Sequence, residues 1–292
     1  MAILSEGYMS KSGNLLENTA KSTIRAVYSR SMALPPERDH YPQFPARVTA
    51  VTDLTPAFRR VTITAPEISD VALMGPDEYV GLFMPPPGQG LQMPAYAGFN
   101  PRSTLSHIPE ASRPDLRWYT VRQQRRELSE IDIDIVSRGH DGPGARWITR
   151  VQAGDPVGVR FQTAPYGSAP DAGHHVLIAD ETGLPGMLEI LAAHASNADR
   201  RFSAIVEVPS EDHVLPGTRE AGITVVHRGD DVPGSALAAE LGELQMDGID
   251  YGWVCAEAKT AALGRRFLVK ECDVPRRQVM SSGFWKVGRA RL

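Results

Sequence analysis

Cysteine is nearly absent from this chain: Cys255 and Cys272 are the only two among 292 residues. Two thiols build neither a disulfide framework nor a four-thiolate iron–sulfur site, so they read as free thiols. No uninterrupted apolar run approaches the roughly 20 residues that a membrane span requires. The N-terminus also lacks the charged-then-apolar layout of a secretory signal. Strong charge of either sign is missing as well. A formal net charge of −4 and a pI near 6.1 exclude the basic profile usual in nucleic-acid binders. The eight histidines form no His-x-x-x-His or His-x-x-Glu-His pattern, and His174-His175 opens an apolar strand as structural residues. These absences predict a cytoplasmic protein with no metal site, no membrane insertion and no nucleic-acid partner.

The length allows one large or two ordinary domains. From Phe44 the chain consists of short β-rich runs: 46–51, 58–64, 79–84, 117–122, 131–137 and 156–161. In Ile131-Asp132-Ile133-Asp134-Ile135 apolar and charged residues alternate strictly, the pattern of a strand wet on one side. Several such strands with turns between them predict an antiparallel β-barrel. A segment rich in proline and glycine, 85–114, interrupts the series and reads as a long surface insertion, functional or mobile. After Gly173 the strands become continuous apolar runs (176–179, 202–208, 223–226 and 251–256), with helical stretches such as 184–195 and 235–246 between them. That alternation predicts a parallel sheet covered by helices on both faces. The glycine-, proline- and serine-rich run 166–173 marks the boundary. The expected organisation is an N-terminal extension over 1–43 (helical in part between Leu15 and Met32), a barrel over 44–170 and an α/β domain over 171–292.

Within the barrel half, Arg117-Trp118-Tyr119-Thr120 reads as a strand with Arg117 and Tyr119 on one face and Thr120 at its end. Arginine brings a fork of donors for phosphate, tyrosine a flat ring with a hydroxyl, threonine a small donor. Taken alone, the same residues also fit a polar, solvent-facing strand. Downstream, Gly142-Pro143-Gly144-Ala145-Arg146-Trp147 is a glycine-rich turn entering a helix. Free backbone N–H groups and the positive helix end suit a pyrophosphate there, and Arg146 adds a full charge. The two pieces together point to a flavin dinucleotide. In the second half, Asp180-Glu181-Thr182-Gly183-Leu184-Pro185 follows the first parallel strand and opens a helix, where α/β sheets place dinucleotides. It lacks the Gly-x-Gly-x-x-Gly fingerprint, so it specifies no pyridine nucleotide. On the helix after Glu257, Lys259, Arg266 and Lys270 fall within about 40° of arc. That stripe is either a solvated face or a cationic dock.

The Arg-x-Tyr-Thr strand, the Gly-Pro-x-Ala-x-Trp turn, the Asp180–Pro185 turn and the terminal Gly283-Phe284-Trp285-Lys286-Val287-Gly288 occur in that order. The set resembles the siderophore-interacting protein family, flavin-dependent ferric-siderophore reductases of the ferredoxin-reductase superfamily, from about Phe44 onwards. The resemblance implies a flavin-binding barrel followed by a ferredoxin-reductase-like α/β domain. It implies that Arg117 contacts flavin phosphate, that Tyr119 packs on the isoalloxazine and that Thr120 hydrogen-bonds near flavin N5. Gly142, Gly144, Ala145, Arg146 and Trp147 are then the FAD pyrophosphate turn, while Asp180, Thr182 and Trp285 lie beside the flavin. Arg138-Gly139 stands where the family commonly has His-Gly, and a planar cation can replace a ring there. Basic residues in the region of Lys259, Arg266 and Lys270 would receive the ferric siderophore. The implied activity is FAD-dependent reduction of that complex to release Fe(II), with NAD(P)H or reduced ferredoxin as donor. No residue is required as a general acid or base. A generic NAD(P)H flavin oxidoreductase and a non-catalytic siderophore carrier are the competing expectations.

Overall fold

The computed structural model describes residues 32–98, 100–243 and 246–288. The helical stretch expected between Leu15 and Met32 therefore lies, but for Met32, outside the described residues. Six strands close a barrel in the order β1-β2-β5-β4-β3-β6, with every pair antiparallel. They are β1 (Gln43–Thr55), β2 (Phe58–Thr64), β3 (Tyr79–Met84), β4 (Asp115–Arg125), β5 (Glu130–Val136) and β6 (Pro156–Phe161). Val48, Val61, Ile63, Leu82, Ile131, Ile133 and Val159 fill the interior. Helix α1 (Pro143–Arg150) joins β5 to β6 and sets Trp147 and Ile148 into the same core.

β4 extends beyond the predicted strand. It runs to Arg125 with a register shift between Val121 and Gln123, so Thr120 sits mid-strand. β5 departs further from its reading. The alternating aspartates are not wet: Asp132 and Asp134 are both buried. Arginines from neighbouring strands cover them. Arg60 donates to Asp134 through Nε and Nη2 at 2.7 and 2.9 Å, Arg122 Nε donates to Asp134 at 2.9 Å, and Arg125 forks onto Asp132 at 2.7 and 2.8 Å. Burial would raise the Asp132 carboxyl, but the bonds from Arg125 and Thr62 hold it below its ordinary value.

The insertion 85–114 is packed, not loose. It makes a helical turn at Arg102–Leu105, and Leu105 joins a small core with Phe83 and Leu116, against which Leu91, Met93, Ile108 and Trp118 pack. Arg160 of β6, fully buried, pins its middle: the guanidinium lies over the Tyr41 and Tyr96 rings at 4.8 and 5.4 Å and donates to the Gly98 carbonyl and to Gln43 Oε1.

The second half is a five-stranded parallel sheet in the order β11-β10-β7-β8-β9. Its strands are β7 (Gly173–Asp180), β8 (Arg200–Val208), β9 (Thr224–His227), β10 (Ile249–Glu257) and β11 (Val279–Trp285). Helix α2 (Leu184–Ala193) covers one face; α3 (Ser235–Glu243) and α4 (Ala258–Lys270) cover the other. Buried nearly all round, α2 is wedged between this sheet and the barrel. Two ties cross the junction. Asp77, ahead of β3, accepts from the Tyr166 backbone N–H at 3.0 Å and from Trp253 Nε1 at 2.8 Å. Arg122 of β4 donates to the Pro185 carbonyl at 3.0 Å and to Glu189 at 2.6 Å.

Candidate functional site

A cavity of about 980 Å³ opens along this junction. Its barrel wall comes from β4, where the pleat presents Arg117 and Tyr119 together and Thr120 stands close to Gly186 of α2. A second wall is the turn after β5: Gly139, His140 and Gly142 to Arg146, with Gly142 as the N-cap of α1 and Pro143 in its first turn. A side chain on Gly144 would collide with the Tyr119 hydroxyl, so only glycine lets the hydroxyl end of the ring approach the turn this closely. Burial raises the Tyr119 phenol, which stays protonated. The third wall belongs to the α/β half: Thr182, Pro185, Phe284, Trp285 and Lys286. Met32, Pro35 and the turn Asn100–Arg102 complete the rim.

The structure therefore brings Arg117, Tyr119, Thr120, Gly139, Gly142, Gly144, Ala145, Arg146, Thr182 and Trp285 to one cavity from four separate stretches of chain. Other expected site residues are elsewhere. Trp147 is 3% exposed inside the barrel, because the amphipathic α1 turns its apolar face inward. Arg138 lines a separate depression with Asp53 and Arg59, since it precedes the left-handed Gly139 that redirects the chain. Asp180 lies beneath the wall. It accepts from Trp285 Nε1 at 2.8 Å, Thr182 Oγ1 at 2.6 Å and the Glu257 N–H at 2.6 Å, and so fixes two cavity side chains without reaching the cavity. Burial, with Glu181 adjacent, pushes its carboxyl up to about 6. Lys259, Arg266 and Lys270 do form one exposed stripe on α4, but none lines the cavity. Helical rise carries Lys270 about 16 Å along the axis from Lys259, so one small ligand cannot meet the whole stripe.

Three contributors were not anticipated. His140, two residues beyond Arg138, enters the cavity and meets Trp285 edge-on, with ring centroids 4.5 Å apart. Its Nε2 lies 3.1 Å from Glu181 Oε1. Arg228 grips the same carboxylate bidentately at 2.9 and 2.8 Å. Burial opposes ionisation of Glu181, yet Arg228 and His140 hold it down at about 2. A carboxylate only accepts, so His140 carries its proton on Nε2. Glu181 sits within a noticed motif, and His140 lies between two of them, just after Arg138-Gly139 and two residues before the Gly142–Trp147 turn. Arg228, 47 residues after Glu181, carries no local signal. Lys286, next to Trp285, is the third: a cation at the cavity.

Residues 47–168 match the siderophore-interacting FAD-binding domain, and residues 172–288 match the siderophore-interacting protein domain. The chain belongs to the siderophore-interacting protein family. A curated relative, the ferric vibriobactin reductase ViuB of Vibrio cholerae, is 25% identical over 234 residues, 79% of this chain and 84% of ViuB. Among solved structures, the siderophore-interacting protein SipS of Aeromonas hydrophila is 27% identical with a TM-score of 0.65, covering 85% of this chain and 93% of SipS. A siderophore utilization protein from T. fusca is 25% identical with a TM-score of 0.69, covering 88% and 97%. The family is FAD-binding, and the barrel and parallel sheet are its two halves in this chain. Among the described residues no helix is long and apolar enough to cross a membrane.

Proposed function

We propose that this protein is an FAD-dependent ferric-siderophore reductase taking electrons from NAD(P)H or reduced ferredoxin. One observation carries the reading: a cationic wall (Arg117, Arg146 and the α1 N-terminus) and a ring-sized wall (Tyr119, Thr182, Pro185 and Trp285) share one cavity. The first suits a diphosphate, the second a flat heterocycle, and the volume suits a large cofactor. Bound there, FAD would supply the redox chemistry, two-electron or one-electron acceptance from the donor and one-electron transfer to Fe(III). One NAD(P)H thus reduces two ferric complexes and yields NAD(P)⁺ and a proton; one reduced ferredoxin reduces one complex. Fe(II), with less charge, is held less tightly by anionic oxygen donors and leaves.

The chain's own part is positioning. Arg117, Arg146 and the amides of Gly144 and Ala145 would hold phosphate. Tyr119, Thr120, Thr182 and Trp285 would hold the ring, with the Trp285 indole locked by Asp180. His140 keeps a proton on Nε2 at the cavity wall. For the iron complex, Lys286 is the better-placed cation; the stripe of Lys259, Arg266 and Lys270 is the alternative dock.

Purified protein is expected to be yellow and to release FAD on denaturation, to bleach anaerobically with one of NADH, NADPH or reduced ferredoxin, and to recover colour with ferric siderophore. Lys286→Gln should slow that recovery with anionic complexes, imitated by added salt, at a cost of a fraction of a kcal/mol to about one. The Lys259, Arg266 and Lys270 triple glutamine variant should not. The opposite ranking would move the dock to α4. FMN alone, or no flavin after reconstitution, would sink the cofactor assignment, and colourless protein that still binds the ferric complex would make it a carrier.

A further inference from the structure

The insertion between β3 and β4 does more than cover the barrel. Its middle is held by Arg160, and Thr104 Oγ1 donates to the Ala95 carbonyl at 2.8 Å. Asn100 Oδ1 accepts from the Arg102 backbone N–H at 3.1 Å, which closes a short turn. This braced turn presents Arg102 to the cavity rim. There Arg102 Nη2 donates to the Leu116 carbonyl at 3.4 Å, and Arg117 Nη1 donates to the same oxygen at 2.6 Å. Two half-buried guanidinium groups thus stand side by side on one acceptor. A dianion lying between two such groups can accept from both forks.

Their place at the cavity says which part of a ligand they meet. Thr120 stands close to Gly186 of the second half, and both guanidinium groups gather on the Leu116 carbonyl, on the other side of Arg117 along β4. Arg102 reaches that oxygen from the insertion at the cavity rim, outside the strand that carries Arg117. We propose that Arg102 is the second phosphate ligand of the cofactor, on the adenosine side of the diphosphate, and that the insertion acts as a clamp selecting a flavin dinucleotide over a mononucleotide. The proposal rests on the FAD reading above.

Apoprotein titrated with FAD, FMN and ADP, by flavin fluorescence and calorimetry, separates the alternatives. Arg102→Ala should weaken FAD and ADP by about tenfold and leave FMN unchanged, the loss expected for one charge-assisted bond. Arg102→Lys should recover part of it, since the charge returns without the fork. If the alanine variant does not fold, as judged by urea unfolding, Arg102→Gln carries the same expectation. Unchanged FAD affinity in a folded variant overturns the clamp, and so does an equal loss for FAD and FMN, which would put Arg102 at the shared phosphate. Parent apoprotein that binds neither FAD nor ADP overturns the cofactor reading itself, whatever Arg102 does.

Discussion

Arg117 and Gly144 show how single residues divide the work at the cavity. Arg117 is half-buried with its guanidinium on the Leu116 carbonyl, already ordered before any phosphate arrives. A charge-assisted bond of roughly 1.5–3 kcal/mol is therefore at stake in Arg117→Ala. FAD affinity should fall by about one to two decades, and FMN affinity with it, measured on folded apoprotein. Parental affinity in that variant would return the motif to the polar-strand reading. Gly144 contributes by lacking a side chain, because the Tyr119 hydroxyl occupies the space a Cβ would need. Arg138 and His140 make the complementary point. Arg138, expected at the cavity, lines a separate depression, and a histidine two positions later reaches the cavity. A left-handed glycine between them changes the direction of the chain, which residue type alone does not reveal.

At the scale of elements, periodicity told strand from helix for β1 to β10 and the helices among them, left β11 unread, and could not tell water from protein beyond each face. β5 alternates as a half-exposed strand does, and its aspartates are buried because Arg60, Arg122 and Arg125 arrive from β2 and β4. Their spacing in sequence from β5 is set by barrel topology, not by any local pattern. The insertion repeats the lesson: its prolines and glycines mark irregular backbone, while its order comes from Arg160 and the aromatic rings around it. Arg160→Ala removes a buried cation from between Tyr41 and Tyr96 and leaves the Gly98 carbonyl without this donor. Limited proteolysis should then cut between residues 94 and 104 faster than in the parent, by roughly tenfold if about 1.4 kcal/mol of local stability is lost. An unchanged cleavage rate would mean that the small core around Leu105 holds the insertion by itself.

At the scale of the whole molecule, the junction between barrel and sheet is both the site and a source of pH dependence. Burial pushes Asp77 up to about 7 despite its bonds from Tyr166 and Trp253, and Asp180 up to about 6. The folded protein then keeps protons that the unfolded chain has already released between about pH 4 and pH 7. Stability from these groups is complete below the unfolded carboxylate range and is lost as pH rises through 6 to 7. Glu181, held at about 2, works the other way: its contribution is present above the unfolded range and lost only as pH falls toward 2. Asp77→Asn should accordingly flatten the decline of the urea midpoint between about pH 5 and about pH 7.5, leaving the smaller slope due to Asp180. The parental slope in that variant would show that the junction carboxyl does not titrate in this range.

The sequence by itself determined the kind and order of the elements from β1 to α4, though not β11, since an alternating strand, a continuous apolar strand and a helix differ in local periodicity. It also determined the cavity-lining pieces that are contiguous: Arg117 to Thr120 on one strand, Gly142 to Arg146 in one turn, and Thr182 after β7. Only the tertiary structure decided which cations meet which anions. Arg228 finds Glu181 across the sheet's upper edge, Asp77 finds Trp253 across the junction, and Arg102 joins Arg117 on one carbonyl. It also sent Trp147 into the barrel, placed Asp180 beneath the wall and left the α4 stripe off the cavity. The reason is one of range. Propensity and capping act within a turn or a strand, whereas ion pairing and burial are set by which chain segments the closed barrel and the crossed-over sheet bring together.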